Sequence, residues 1–328
     1  MRGLRVGVVN PRSPFGSRVR SLLSDGALPV IELKLFESDV DGEATLTQFQ
    51  DDVVITQPLD PDLFTNLDVI FFAGEDSDLF NRLAVDASGN GILSIVEGAI
   101  GLEAPVVVHG AKGPTASGDS GDRLFVVPRM ASYLVGTTLR RARESLSAAR
   151  ASATLLLPAG VEGEAGVKEL HEQVRSLLSF KSPPTEVFKE QVAFNVKLAG
   201  SGVRSVALAE SVALETARLA NMEDALSLSL VQVPVFHGYS ASIWVELEAP
   251  VEQRALLACF KEPPFALDTG RRAKSPTPVG AADSNKIHIG GLRRPTELSR
   301  PGFWLWAVAD TTAYDSGSTA VEFVKTRV

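Results

Sequence analysis

Residues 231–248, VQVPVFHGYSASIWVELE, decide how this chain is read. Just upstream, Leu226, Leu228 and Leu230 alternate with Ser227 and Ser229, the period of two that marks a half-buried strand. Beyond the glycine, Ile243, Val245 and Leu247 share one face of a second predicted strand. Ser242, Trp244, Glu246 and Glu248 share the other. Between the two strands lie His237, Gly238 and Tyr239, a Gly-centred turn with polar groups on both sides, where a site is expected. If the backbone stays extended through Gly238, His237 and Tyr239 point to the same face.

The chain has 328 residues, longer than one domain of typical size, so two domains are the default. With 45% hydrophobic and 22% charged residues, it has the composition of a globular protein with a sizeable core. A net charge of −8, from 32 basic and 40 acidic residues, argues against nucleic acid or an anionic membrane as the main partner. No apolar run approaches the roughly 20 residues of a membrane span. The opening MRGLRVGVVN is too short in its apolar part for a signal peptide and reads as a first strand. A single cysteine forms no internal disulfide, which fits a reducing cytoplasm. That residue, Cys259, lies in the amphipathic pattern VEQRALLACFKE and reads as a small buried hydrophobe.

From the N-terminus, Leu4–Val9 is a continuous apolar run suited to a central parallel strand. A loop, NPRSPFG, and a helix ended by Gly26 follow it. Strand, turn and helix in that order open a Rossmann domain. Further strands are predicted at 31–36, 52–56, 68–74, 91–98, 105–110 and 123–128, with a helix between Gly74 and Gly91. This alternation predicts a doubly wound α/β sheet over residues 1–128. Residues 113–122, GPTASGDSGD, read as a loop.

Residues 129–310 predict an α+β domain with mostly antiparallel strands. Its first helix carries Val135, Leu139, Ala142, Leu146 and Ala149 on one face. Strands are expected at 152–157, 190–196, 286–292 and 303–310, and helices at 163–180 and 203–221. The tail 311–328 ends in a short helix. The four histidines, His109, His171, His237 and His288, are scattered without metal-ligand spacing, so no metal site is expected. Arg271, Arg272 and Lys274, beside SPTP, read as a solvated loop.

Several segments resemble the aspartate-semialdehyde dehydrogenase family. QVAFNV at 191–196 is similar to that family's Gln-Ile-Ala-Phe-Asn-Val, and VPVFHGYS at 233–240 to its Val-Pro-Val-Phe-x-Gly-His-Ser. SPTP at 275–278 and WAVADTTAYDSGSTAV at 306–321 resemble its later motifs, and all occur in the family's order. The resemblance implies an N-terminal Rossmann domain, a C-terminal α+β domain that dimerises through its sheet, and a last helix returning to the first domain. It also implies NADP-dependent interconversion of aspartyl phosphate and aspartate semialdehyde, within amino-acid biosynthesis, through a thioester on a cysteine assisted by a histidine.

The positions that would perform this chemistry hold other residues. The nucleophile motif Asn-Pro-Asn-Cys-Ser-Thr corresponds to VPRMAS, which puts Met130 in the cysteine's place. A thioether has no ionisable S–H. Tyr239 stands where the histidine belongs, and a phenol is a poor base near neutrality. His237 is the candidate substitute base. Gln232 replaces the substrate-carboxylate arginine and lacks its charged fork. The phosphate arginine maps to Gly101, a site glutamine to Leu157, and a helical Glu and Lys to Ala209 and Ser211, with Glu210 the nearest charge.

The cofactor loop, Gly-Ala-Thr-Gly-Ala-Val-Gly in the family, reads Asn10-Pro11-Arg12-Ser13-Pro14-Phe15-Gly16. Asn10, Arg12, Ser13, Gly16 and Gly74 are the candidate cofactor contacts, with NADP or NAD bound weakly or not at all. The acidic run 37–43 is set to repel a 2′-phosphate. The expectation is a homodimer, or a mixed dimer with a related enzyme, that is non-catalytic and serves binding or regulation. The alternatives are an active NAD(P)-dependent semialdehyde dehydrogenase and a reductase with an altered site.

Overall fold

The structure is a computed structural model of the full chain. It describes residues 3–38, 46–49, 52–73, 77–98, 102–110, 113–116, 121–199, 203–269, 274–295, 300–311 and 314–328. The chain divides into two units, Met1–Arg129 with Asp315–Val328, and Met130–Tyr314.

In the first unit, strand β1 (Leu4–Val9) leads into helix α1 (Pro14–Ser24) and strand β2 (Val30–Glu37). Strands β3 (Leu46–Phe49), β4 (Asp52–Pro58) and β5 (Val69–Phe72), helix α2 (Ser77–Gly89) and strand β6 (Leu93–Glu97) follow. Strands β7 (Val107–Gly110), β8 (Gly113–Ala116) and β9 (Leu124–Val127) complete its sheets. The main sheet has the order β3-β4-β2-β1-β5-β6-β9 and is parallel from β4 to β9. Its central strands are apolar on both faces: Val6, Val8 and Val9, and every residue of β5, are buried. Strand order reverses between β1 and β5, so the loops after them flank the topological switch point of the doubly wound sheet.

Two expectations fail in this unit. The apolar run at 105–110 does not join the parallel sheet as a full strand. It touches that sheet at one bridge, Val106 to Val126, and then β7 pairs antiparallel with β8. β8 in turn occupies the first part of the stretch read as a loop at 113–122. The Gly and Pro there signal a turn, but the backbone of 113–116 finds its partners in Val107–Gly110. The hairpin strand β3, antiparallel to β4, carries no distinct sequence signal.

The second unit begins with helix α3 (Met130–Leu146), strand β10 (Ala148–Leu157) and helix α4 (Gly163–Leu178). Strand β11 (Lys197–Leu198), helix α5 (Val203–Ala220) and strands β12 (Leu226–Gln232) and β13 (Tyr239–Leu247) come next. Helix α6 (Gln253–Cys259) and strands β14 (Phe265–Leu267), β15 (Ile287–Arg293) and β16 (Gly302–Ala309) close the sheet. Helix α7 (Ser316–Lys325) belongs to the first unit and lies against α1, where Arg18 pairs with Asp315. The second sheet has the order β11-β12-β10-β13-β16-β15-β14, with α3 on one face. This α/β arrangement, a Rossmann sheet followed by a mixed α+β domain, is the fold class read from the sequence.

β12 and β13 do not pair with each other. Both flank β10, β12 parallel to it and β13 antiparallel. The connecting residues 233–238 therefore cross the end of β10, where Ala159 and Gly160 donate to the carbonyls of Val235 and Phe236. The first helix is also shorter than its apolar pattern. It stops at Leu146 because Ser147 takes φ 53°, and Ala149 already lies in β10.

The predicted strand at 190–196 is absent. Val192 and Ala193 are buried, but their N–H groups both donate to Gln173 Oε1, at 2.8 and 2.9 Å. Gln173 Nε2 donates to the carbonyls of Pro184 and Glu190, and Glu169 accepts the N–H groups of Val187 and Phe188. Two buried side chains of α4 thus supply what a neighbouring strand would have supplied, and Phe194 turns the chain at φ 58°. Gln173→Ala removes these partners at once. It should lower unfolding stability by about 2–4 kcal/mol, read as a reduced urea midpoint at unchanged m-value.

Candidate functional site

The second unit holds the positions singled out around Gly238. Gly238 has φ 85°, and a Cβ there would lie 3.0 Å from Pro278 Cβ, so both backbone and space demand glycine. The turn breaks the extended geometry: His237 is exposed outside β13, whereas Tyr239 opens the strand opposite Ala309 and is buried. The shared face expected for His237 and Tyr239 is therefore not formed. The His237 ring lies beside Gly160, where an added Cβ would sit 3.2 Å from Nδ1.

Gln232 is buried and spends its amide on the backbone, with Nε2 donating to Leu157 O at 3.0 Å and Val233 O at 3.4 Å. It closes the crossing at the end of β10 and offers no cation to a carboxylate. Leu157, at the corresponding site-glutamine position, is buried. Met130 is the first residue of α3 and is half-buried, which gives a helix start with a thioether and no thiol.

Two features of this helix start escape a reading by motif. Ser132 Oγ donates to Glu215 Oε2 at 2.6 Å, with both residues buried between α3 and α5. The ring of Tyr133 stacks on that of Tyr314 at 4.0 Å and 13°, and burial pushes the Tyr133 phenol up to about 12. A helical wheel gives a clue to the first, because Glu215 falls on the buried stripe of α5 with Val212 and Leu219. Nothing in the sequence pairs residues 133 and 314, since their contact depends on the tertiary fold.

The lone thiol lies on a different helix from Met130. Cys259 is buried in α6, and its Sγ lies 3.7 Å from Arg141 O. Burial pushes it up to about 11, against a smaller opposing influence of the Arg141 charge. His288 is held 2.8 Å from Ser284 Oγ, its pKa lowered by burial and then by Lys286. Among the described residues no group of three His, Cys, Asp or Glu side chains is placed to hold a metal ion.

The β1–α1 loop of the first unit is closed on itself. Asn10 takes φ 52°, and its Oδ1 accepts both the N–H and the hydroxyl of Ser38, at 3.0 and 2.9 Å. Ser13 caps α1: its Oγ accepts Gly16 N–H at 3.0 Å, and its carbonyl accepts Ser17 N–H. Pro11 and Pro14 have no N–H to offer. Arg12 pairs with Glu37 at 3.1 Å. Gly16 is kept for packing, since a Cβ there would lie 2.4 Å from Asn10 O. Most backbone donors that would cradle a pyrophosphate are thus absent or engaged, and this loop does not fit a dinucleotide. Gly74, Gly101, Arg271 and Arg272 lie outside the described residues.

Residues 158–313 match the family model described as semialdehyde dehydrogenase, dimerisation domain. An aspartate-semialdehyde dehydrogenase of Synechocystis sp. is 23% identical over 332 residues, covering 98% of this chain and 96% of that protein. The crystal structure of aspartate semialdehyde dehydrogenase II from Vibrio cholerae matches at a TM-score of 0.76 and 20% identity, covering 99% of this chain and 98% of that one. The structure of the Candida albicans enzyme with NADP matches at a TM-score of 0.65 and 16% identity, covering 99% of each chain. These likenesses extend over the whole fold, and at such identities the structural ones speak for the fold alone.

The burial of Cys259 has a direct chemical readout. At pH 8 the native protein should react with iodoacetamide roughly 100-fold or more slowly than the same protein in denaturant. Below the ordinary thiol pKa, each unit of upward shift removes tenfold of the thiolate. Ellman titration of the residual thiol over time measures both rates.

Proposed function

We propose that this chain is a non-catalytic member of the aspartate-semialdehyde dehydrogenase family whose retained scaffold serves binding or regulation. The observation that carries this reading is the start of α3, where Met130 stands in the position that corresponds to the family's cysteine. A thioester intermediate forms when a thiolate attacks a carbonyl and breaks down when the same sulfur leaves. A sulfur already bonded to two carbons does neither. Gln232, bonded to the backbone of Leu157, and Tyr239, buried in β13, remove the carboxylate clamp and the imidazole as well. In covalent enzymes loss of the nucleophile alone costs on the order of 10⁶ in turnover.

The scaffold role follows from the sheet of the second unit. The face of β13 and β16 turned away from the buried residues carries Trp244, Trp304 and Trp306, with Trp244 opposite Trp304 in register and their rings 5.5 Å apart. In this proposal a second copy covers that face, in keeping with the dimerisation-domain match. In the regulatory form, the same face takes a subunit of a related, catalytically complete enzyme in the cytoplasm. Among the described residues no helix is long and apolar enough to cross a membrane.

Two measurements test the reading. An assay with aspartate semialdehyde, phosphate and NADP should give no NADPH above background. Turnover within about 10³ of a complete relative, persisting in Cys259→Ala, would refute it. Light scattering after gel filtration should give a dimer, and Trp244→Asp should shift it to monomer by placing a charge at the centre of the buried face.

A further inference from the structure

We infer that Glu37 closes the β1–α1 loop to phosphorylated nucleotides by holding the loop's cation, Arg12, in an internal ion pair. The inference stands on the first unit alone, and its test reads binding, so it does not depend on whether the second unit turns over substrate.

Glu37 is the last residue of β2, the strand next to β1, so its carboxylate lies beside the loop that follows β1. Arg12 Nε donates to its Oε2 at 3.1 Å, with the arginine side chain 57% exposed and the glutamate side chain 17% exposed. The glutamate is thus the sheltered partner, and the exposed arginine is folded back onto it. Arg20, in the second turn of α1, donates its Nε to Pro11 O at 2.9 Å and also feels the Glu37 charge, which opposes the loss of basicity that burial imposes on it. One carboxylate therefore acts on both Arg12 of the loop and Arg20 of the helix.

The rest of the loop compensates for little of that neutralisation. Pro11 and Pro14 lack N–H groups, and those of Ser13, Gly16 and Ser17 are bonded within the loop. The Asn10 side-chain oxygen is fixed to Ser38. A phosphate approaching the loop meets few unengaged backbone donors and a carboxylate already holding the guanidinium. The carboxylate adds an electrostatic barrier to that shortage of donors. An exposed ion pair of this kind contributes little to folding, so its removal leaves the fold intact and alters what the loop can bind.

The test is calorimetric titration of the full-length protein at low ionic strength with adenosine 2′,5′-bisphosphate and, separately, NADP. The native chain should show no saturation at millimolar nucleotide. Glu37→Gln, which keeps the size of the side chain and frees Arg12 for charge-assisted bonding to phosphate, should bind about tenfold more tightly or better. That gain should weaken with added salt and disappear in Glu37→Gln combined with Arg12→Ala. The exchanged pair, Arg12→Glu with Glu37→Arg, keeps the ion pair and should stay as inert as the native chain, a second check if Glu37→Gln folds poorly. Tight binding by the native chain, no gain in Glu37→Gln, or a gain that survives Arg12→Ala would each overturn the inference.

Discussion

The second unit depends on β13 being held in a single register by the strands on both its sides. Tyr239–Glu246 pairs with Gly302–Ala309, and Ser240–Leu247 pairs with Ala148–Leu156. The alternation then sends Ala241, Ile243, Val245 and Leu247 into the core, where all four are buried. A slip of one residue would turn that row outward and bring Trp244 and Glu246 in. Gly238 fixes where the strand begins, because only a glycine takes its φ of 85° against Pro278 without strain. That starting point separates the two residues beside it: Tyr239 is drawn into the sheet while His237, one residue before the turn, is left outside.

Packing also explains how the second unit accommodates the residues found at these positions. Gln232 is a stable occupant of its position because the end of β10 presents the Leu157 carbonyl to its amide. Met130 needs only to begin a helix, and the nearby Ser132–Glu215 bond and Tyr133–Tyr314 stack hold that helix start in the second unit. A catalytic thiolate, by contrast, must be exposed and electrostatically activated, and neither demand contributes to folding. Under the proposed function, the packing constraints are met in this chain and the chemical ones are not, as in a fold maintained for its surface.

Period and punctuation made most of the fold legible before any coordinates. The apolar runs of β1, β5, β6 and β9, and the alternation in β12, β13 and β16, lie where the sequence places them, because burial on one face or two leaves a periodic record. The failures come from partners that periodicity does not reveal, one on helix α4 and one only a few residues further along the chain. QVAFNV reads as a strand, yet Gln173 takes its N–H groups. The 105–110 run reads as a sheet strand, yet Gly113–Ala116 pairs with most of it. At the site, residue identities could be read directly: Met130 and Tyr239 stand where the resemblance implies a cysteine and a histidine. Their surroundings could not. The separation of His237 from Tyr239 and the pairing of Arg12 with Glu37 are facts of backbone geometry and of contact across 25 residues.

The central claim, that Met130 leaves the chain without a covalent route, is tested most directly by looking for the intermediate itself. The protein is incubated with aspartate semialdehyde, phosphate and NADP, quenched in acid and examined by intact-mass spectrometry and peptide mapping. The account expects the unmodified mass throughout. An acid-stable acyl adduct mapped to residues 128–133, or to Cys259 in the native state, would contradict it.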